Sequence, residues 1–464
     1  MKSSLYIKNG LVYLDGVFTK RNIGVAGEEI AFYEEPGTAA AEDTEKEAQK
    51  VIDAGGSYVL PGVIDFHCHI REPGQEFKED YRTGTMAAAH GGVTGVCVMP
   101  NNLTGSLADE ESFQTAIDAG NAHSVIDFAP IPSPLGFQNG SVPKLKAMGA
   151  SYFKIMEMKS NKVPPEQNFR CGDTYLLDQC MQAVAKENSY ISIHPMDMDW
   201  YLGNVQRIKN SGLPLTLENV LHQLYTDEEM GSGAWQLAYF FRKTGCGWIA
   251  VHTWHSSYID LIRMLKAEGK AKILSSCEIM PSSIRNFDVL YDRATGERIR
   301  LGHAAKPDWD KIWEAVNDGT IDMLGSDHSP HLPENYNEND PFASAQGVPA
   351  EDYYTNLLLD AVNDGKLTME RLVKATSENG AKALGWRRKG TNAIGTDADF
   401  TICDLHRVWT ADDSYPIYSK PGLDPLYGQT LKGKVTHTIV RGSVVMENDR
   451  ILVKPGYGNY IIPE

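Results

Sequence analysis

A parallel (β/α)8 barrel carrying a small β-sandwich domain built from both chain termini is the α/β fold that three observations predict. Eight apolar, strand-like runs recur down the middle of the chain. Amphipathic helical stretches lie between most of them. Short alternating strands with glycine turns occupy both ends. The eight runs cover 58–69, 93–100, 124–130, 152–156, 190–194, 248–252, 272–278 and 321–327. Helices are expected at 176–186 and 258–266, the latter with Ile259, Ile262 and Leu265 near helical spacing. At the start, 5–7, 10–13 and 22–25 alternate apolar and polar residues around an Asp15-Gly16 turn, and the texture returns at 398–404 and 434–442. Residues 1–57 plus 390–464 are therefore expected to form the β-sandwich and 58–389 the barrel. A doubly wound open sheet is the competing arrangement. It is disfavoured because no glycine-rich phosphate fingerprint follows the first run.

The chain has 464 residues, ample for a barrel of about 250 plus a second unit. Its 44 basic and 61 acidic residues give a net charge of −17, which argues against nucleic acid or an anionic membrane as the main partner. The seven cysteines (68, 97, 171, 180, 246, 277 and 403) are scattered and never form a Cys-x-x-Cys pair. They read as reduced, buried side chains of a cytoplasmic protein. No stretch is long and apolar enough to span a bilayer, and the start lacks the apolar core of a signal peptide.

The chemistry is concentrated where the apolar runs end. Asp65-Phe66-His67-Cys68-His69 closes the first run, and alternation along a strand turns both imidazoles to one face, with Cys68 turned away. Lys154 lies in the fourth run; His194, His252 and Asp327 end the fifth, sixth and eighth. In a parallel barrel these ends converge on one mouth, so five runs would deliver metal-binding groups to a single site. No Ser-His-Asp set with a nucleophile-elbow pattern competes with them.

The chain resembles the cyclic amidohydrolases, the branch of the amidohydrolase superfamily that holds dihydroorotase, dihydropyrimidinase (hydantoinase) and allantoinase. The resemblance is carried by Pro61-Gly62-Val63-Ile64-Asp65-Phe66-His67-Cys68-His69, Thr83-Gly84-Thr85, Gly91-Gly92-Val93-Thr94, Asp327-His328-Ser329-Pro330-His331, Ala375-Thr376-Ser377-Glu378-Asn379 and Leu431-Lys432-Gly433-Lys434-Val435. It implies two divalent ions, usually zinc. His67 and His69 would hold the first with Asp327 as a further ligand, and His194 and His252 the second. Lys154 would bridge both as a carbamate. Imidazole and carboxylate-like oxygens suit zinc. The implied mechanism is attack of a hydroxide shared by the two ions on a ring carbonyl, since metal binding lowers the pKa of water to about 7. Asp327 would act first as base and then as acid toward the departing nitrogen. Homodimers and homotetramers are usual in similar proteins.

His69-Ile70-Arg71-Glu72-Pro73-Gly74 and Met99-Pro100-Asn101-Asn102 resemble dihydroorotases most closely. There Arg71 and Asn101 would bind a substrate carboxylate with help from His331, a task that suits an arginine fork. A structural pairing of Arg71 with Glu72 or Asp80 is the alternative. Three segments depart from that template: 156–159 after Lys154, 278–283 after the seventh run, and 302–307 before the eighth. A hydantoinase- or allantoinase-like hydrolase of another cyclic ureide, imide or lactam therefore stands beside the dihydroorotase-like reading. A non-catalytic scaffold is the third possibility, disfavoured because all six ligand positions are filled. His255 and Lys159 receive no role, and 340–348 is expected to be a loop on the substrate side.

Overall fold

In a computed structural model the described residues are 3–100, 107–155, 174–269, 272–278, 289–301 and 308–464. The expected strands appear among them as β1 (Val63–Cys68), β2 (Val93–Val98), β3 (Asp127–Pro130), β4 (Phe153–Ile155), β5 (Tyr190–Ile193), β6 (Gly247–Ala250), β7 (Ile273–Glu278) and β8 (Met323–Gly325). β1, β2 and β3 pair in parallel, as do β4 through β8 in chain order. The two arcs join into a closed ring. The Lys154 N–H donates to the Pro132 carbonyl between β3 and β4, and beside β8 the Asp327 N–H donates to the His67 carbonyl at 2.9 Å. An open sheet is excluded by that closure.

The first apolar run divides at Gly62, which corrects its reading as one barrel strand. Tyr58–Pro61 pairs in parallel with Leu5–Leu14 and antiparallel with Phe400–Thr410, so it joins the sheet of the termini instead. A Cβ at Gly62 would lie 2.3 Å from Thr94 Oγ1 and 2.7 Å from Asp399 Cβ, a closeness only glycine allows. Asp15 and Gly16 both take positive φ (50° and 87°) and close the hairpin of Leu5–Leu14 with Val17–Ala26, as the sequence suggests. Among the described residues the termini make one nine-stranded sheet, the β-sandwich. Its core includes Ile7, Ile23, Val59, Phe400 and Ile439.

The helices expected at 176–186 and 258–266 appear as Thr174–Lys186 and Ser256–Glu268. A hairpin of Val289–Asp292 with Arg298–Arg300, extended by Leu423–Asp424, was not anticipated. Its strands are too short for alternation to stand out beside the longer barrel runs. All described cysteines are buried and free, and Cys171 lies outside the described residues. No described helix is long and apolar enough to cross a membrane.

His90, at the end of Tyr81–His90, locks the barrel to the C-terminal sheet. Its Nδ1 lies 3.0 Å from Asp352 and its Nε2 3.3 Å from Asp449. Burial by itself would lower its pKa, but the two carboxylates outweigh burial and raise it above 6.5. A raised folded-state value means that the ion pairs stabilise fully below the unfolded value and fade as pH rises through the folded one. The stability advantage of the native chain over His90→Gln should therefore be greatest in mildly acidic buffer. It should shrink by up to about 1.4 kcal/mol per pH unit between the unfolded and the folded His90 values and level off above the latter, as read by urea denaturation from pH 5.5 to 8.5.

Candidate active site

β6 and β8 end before His252 and Asp327, because the backbone beyond them bonds elsewhere. The His252 N–H donates to Glu278 Oε2 at 2.7 Å rather than to a neighbouring strand. Asp327 N–H meets the His67 carbonyl. Both residues take left-handed backbone, φ 56° for His252 and 47° for Asp327. Such conformations cost free energy in non-glycine residues and persist only where surrounding bonds fix them. They turn the two side chains into the mouth of the barrel.

There the four predicted histidines form a chain of rings. His69 lies 5.2 Å from His67 between centroids, His67 lies 5.1 Å from His252, and His252 lies 4.6 Å from His194. The Asp327 carboxylate closes one end, 3.0 Å from His69 Nε2 and 3.7 Å from His67 Nε2. Lys154 is buried opposite Ser192 in the β4–β5 register, its Nζ 3.5 Å from Ser192 Oγ. All six expected ligand residues thus meet at one place. Cys68 turns away and packs with the outer layer that includes Tyr81 and Val96, as alternation requires.

The electrostatics suit cation binding. Burial first, then the Lys154 charge, depresses the His67 imidazole to about 4 despite Glu278. Burial, His252 and Lys154 push His194 well below its usual value. Neutral imidazoles keep a lone pair for a metal. Burial would raise Asp327, yet the His69 hydrogen bond and the His67 and His252 rings hold it well below the ordinary carboxylate range. His67, His69 and Asp327 place their ligand atoms within 4.8 Å of one another. Two other acidic clusters have different uses. Lys389 sits among Asp127, Asp397 and Asp399 at 2.5, 2.9 and 2.7 Å. Beside Asp65 and Cys68, burial and the Asp65 carboxylate push Glu351 well above the usual carboxylate range.

At the rim, Arg71 Nη2 donates to Ser329 Oγ at 2.6 Å and lies 3.3 Å from His331 Nε2. The other ring nitrogen of His331 is 3.3 Å from Lys78 Nζ. Glu72 instead accepts from the Tyr81 N–H and meets His123, while Asp80 caps Tyr81–His90 and pairs with Lys420. Val348, in the loop expected on the substrate side, accepts the Ser329 N–H. Asn101, Lys159 and 302–307 lie outside the described residues.

The model of the amidohydrolase family matches residues 58–445. The chain belongs to that family. Within it the protein falls in the cyclic amidohydrolase branch. This amidohydrolase is 30% identical over 402 residues to the dihydroorotase of Pyrococcus furiosus, covering 86% of this chain and 84% of that one. It is 27% identical to the allantoinase of Bacillus licheniformis, over 98% of each. The L-hydantoinase (dihydropyrimidinase) of Arthrobacter aurescens superposes with a TM-score of 0.86 at 25% identity and complete coverage of both chains.

Two buried acids of this amidohydrolase were not singled out from the sequence. Asp65 accepts from the His67 N–H, the Ser326 N–H and the Ser326 hydroxyl, at 3.0, 2.9 and 2.5 Å. Glu278 faces His67 and His252 from the end of β7. Their signal was position: each is an acid within, or ending, an apolar barrel strand, where an unpaired charge is costly. Replacing Asp65 by alanine leaves three buried donors without their acceptor. It should cost about 3 kcal/mol or more in urea denaturation, and it should loosen His67 and Asp327 together.

Proposed function

We propose that the protein opens a cyclic amide ring bearing an acidic substituent, in the manner of a dihydroorotase. The carrying observation is the grouping of Arg71, Ser329 and His331 at the rim of the site that holds Asp327. Burial lowers the Arg71 guanidinium only to about 10, so it keeps its positive charge at neutral pH. A buried, charged fork matches a carboxylate and would fix the ring with its carbonyl toward Asp327. Asn101 would add a further contact.

The residues fit a pair of divalent cations, with zinc the best match to imidazole and carboxylate ligands. His67, His69 and Asp327 would hold one ion and His194 and His252 the other. Lys154 would bridge them once its neutral amine has added carbon dioxide, losing a proton to become an anionic carbamate. A plain ammonium there has no lone pair and would repel a cation. When bound, the ions supply Lewis acidity and an activated water. Asp327, held unprotonated, takes the proton from the attacking water and gives it to the ring nitrogen as the C–N bond breaks. Arg71 and His331 keep the substituent fixed while the ring opens to an acid.

Cytoplasmic location and assembly as a homodimer or homotetramer complete the reading. The latter is supported by large exposed side chains such as Tyr175, Trp200, Trp235 and Tyr239. A second reading, hydrolysis of another cyclic ureide, imide or lactam, is favoured by the end-to-end likeness to an allantoinase. A panel of dihydroorotate, dihydrouracil, hydantoin, allantoin and simple imides separates the two. Arg71→Ala should lower kcat/KM for dihydroorotate by about 100-fold and change neutral rings only a few-fold; equal losses would remove the carboxylate role. Elemental analysis should find two ions per chain in the native protein and fewer in Lys154→Ala. Chelation should abolish ring opening, and zinc should restore it.

A further inference from the structure

Glu278 ends β7 with its side chain wholly buried. One oxygen, Oε1, accepts the Ser276 hydroxyl at 2.6 Å and lies 3.5 Å from His67 Nδ1. The other, Oε2, accepts the His252 backbone N–H at 2.7 Å and lies 3.0 Å from His252 Nδ1. A carboxylate offers about four lone-pair positions, and two donors and two ring nitrogens converge on this one. Neither Nδ1 atom has a hydrogen-bond partner of full geometry among the described residues, and a Glu278 oxygen faces each of them. A buried imidazole with a carboxylate at Nδ1 keeps its proton there, which leaves Nε2 bare for a ligand. In His67 it is Nε2 that faces Asp327.

From this geometry we infer that Glu278 is a positioning residue that fixes the tautomer and ring orientation of His67 and His252 together, one ligand from each half of the paired-ion site. The inference rests on the two-ion reading given above. Its consequence is specific: one carboxylate serves both halves, so removing it weakens both ions, while a change at one oxygen weakens only the half whose imidazole faces that oxygen.

The glutamine variant gives the sharpest test, because an amide has one accepting and one donating end. The His252 backbone N–H is a fixed donor and holds the amide oxygen at the Oε2 position. The Ser276 hydroxyl can turn to accept, so it tolerates the amide nitrogen at Oε1. That nitrogen then faces His67 Nδ1 and forces the ring to accept there, which moves its proton to Nε2 and removes it as a ligand.

The measurement is Zn2+ titration of the metal-stripped full chain against a chromophoric chelator, with thermal unfolding of each stripped protein as the check on folding. The native chain should bind two Zn2+. Glu278→Gln should keep one at native affinity and hold the other about 10–100-fold more weakly. Glu278→Ala should weaken both by similar factors. Adding His194→Ala to Glu278→Gln should remove the remaining tight site, whereas adding His69→Ala should spare it. Two native-affinity ions in Glu278→Gln, or equal weakening of both, overturns the positioning role. A native chain that takes up no Zn2+ overturns the paired-ion reading instead. Should the variants fail to fold, the zinc-loaded native protein with 15N-labelled histidine decides. Nδ1–H tautomers for His67 and His252 support the inference, and an Nε2–H tautomer in either ring overturns it.

Discussion

The junction of β8 with β1 is the constraint on which the site depends. The Asp327 N–H meets the His67 carbonyl, the His69 N–H meets the His328 carbonyl, and Asp65 grips the backbone of both His67 and Ser326. These bonds close the barrel and fix the register between its first and last strands. One residue of slip would turn Asp327 away from His69, since side chains alternate along a strand. The left-handed backbone of Asp327 is sustained by the same bonds. His328 reinforces the junction from behind: its Nδ1 accepts the Ala350 and Glu351 N–H groups, which leaves its Nε2 proton facing Glu79.

Charge is arranged in layers around that junction. Innermost are His67 and His194, which burial pushes below the usual imidazole range, beside Asp327, whose pKa lies below the usual carboxylate range. Behind them stand Asp65 and Glu278, acids held by backbone and hydroxyl donors. The rim is cationic, with Arg71 and Lys78 on either side of His331. A protein with a net charge of −17 thus places two cations beside His331, so overall charge is a poor guide to the sign of a local site.

Much of this was readable beforehand, for physical reasons tied to particular residues. Barrel strands are apolar and short and alternate with amphipathic helices, so the eight runs stood out. Ionisable residues at their ends, where a core has no use for charge, marked the mouth. The division at Gly62 was hidden because strands of both domains are equally apolar across it. Trp254 and His255, which follow His252 closely in the chain, have structural uses. Trp254 packs edge-on against His252, with its Nε1 donating to the Glu278 carbonyl, and His255 precedes the helix Ser256–Glu268 as its cap.

The sequence by itself determined the fold class, the family and the six residues expected to bind metal, because strand periodicity and residue chemistry are local properties. Only the tertiary structure decided how those residues are oriented. Glu278 and Asp65 act through partners distant in the chain, β1 and the segment after β6 for the first and the segment after β8 for the second. Such contacts exist only once the ring has closed, since they depend on the register between strands distant in the chain.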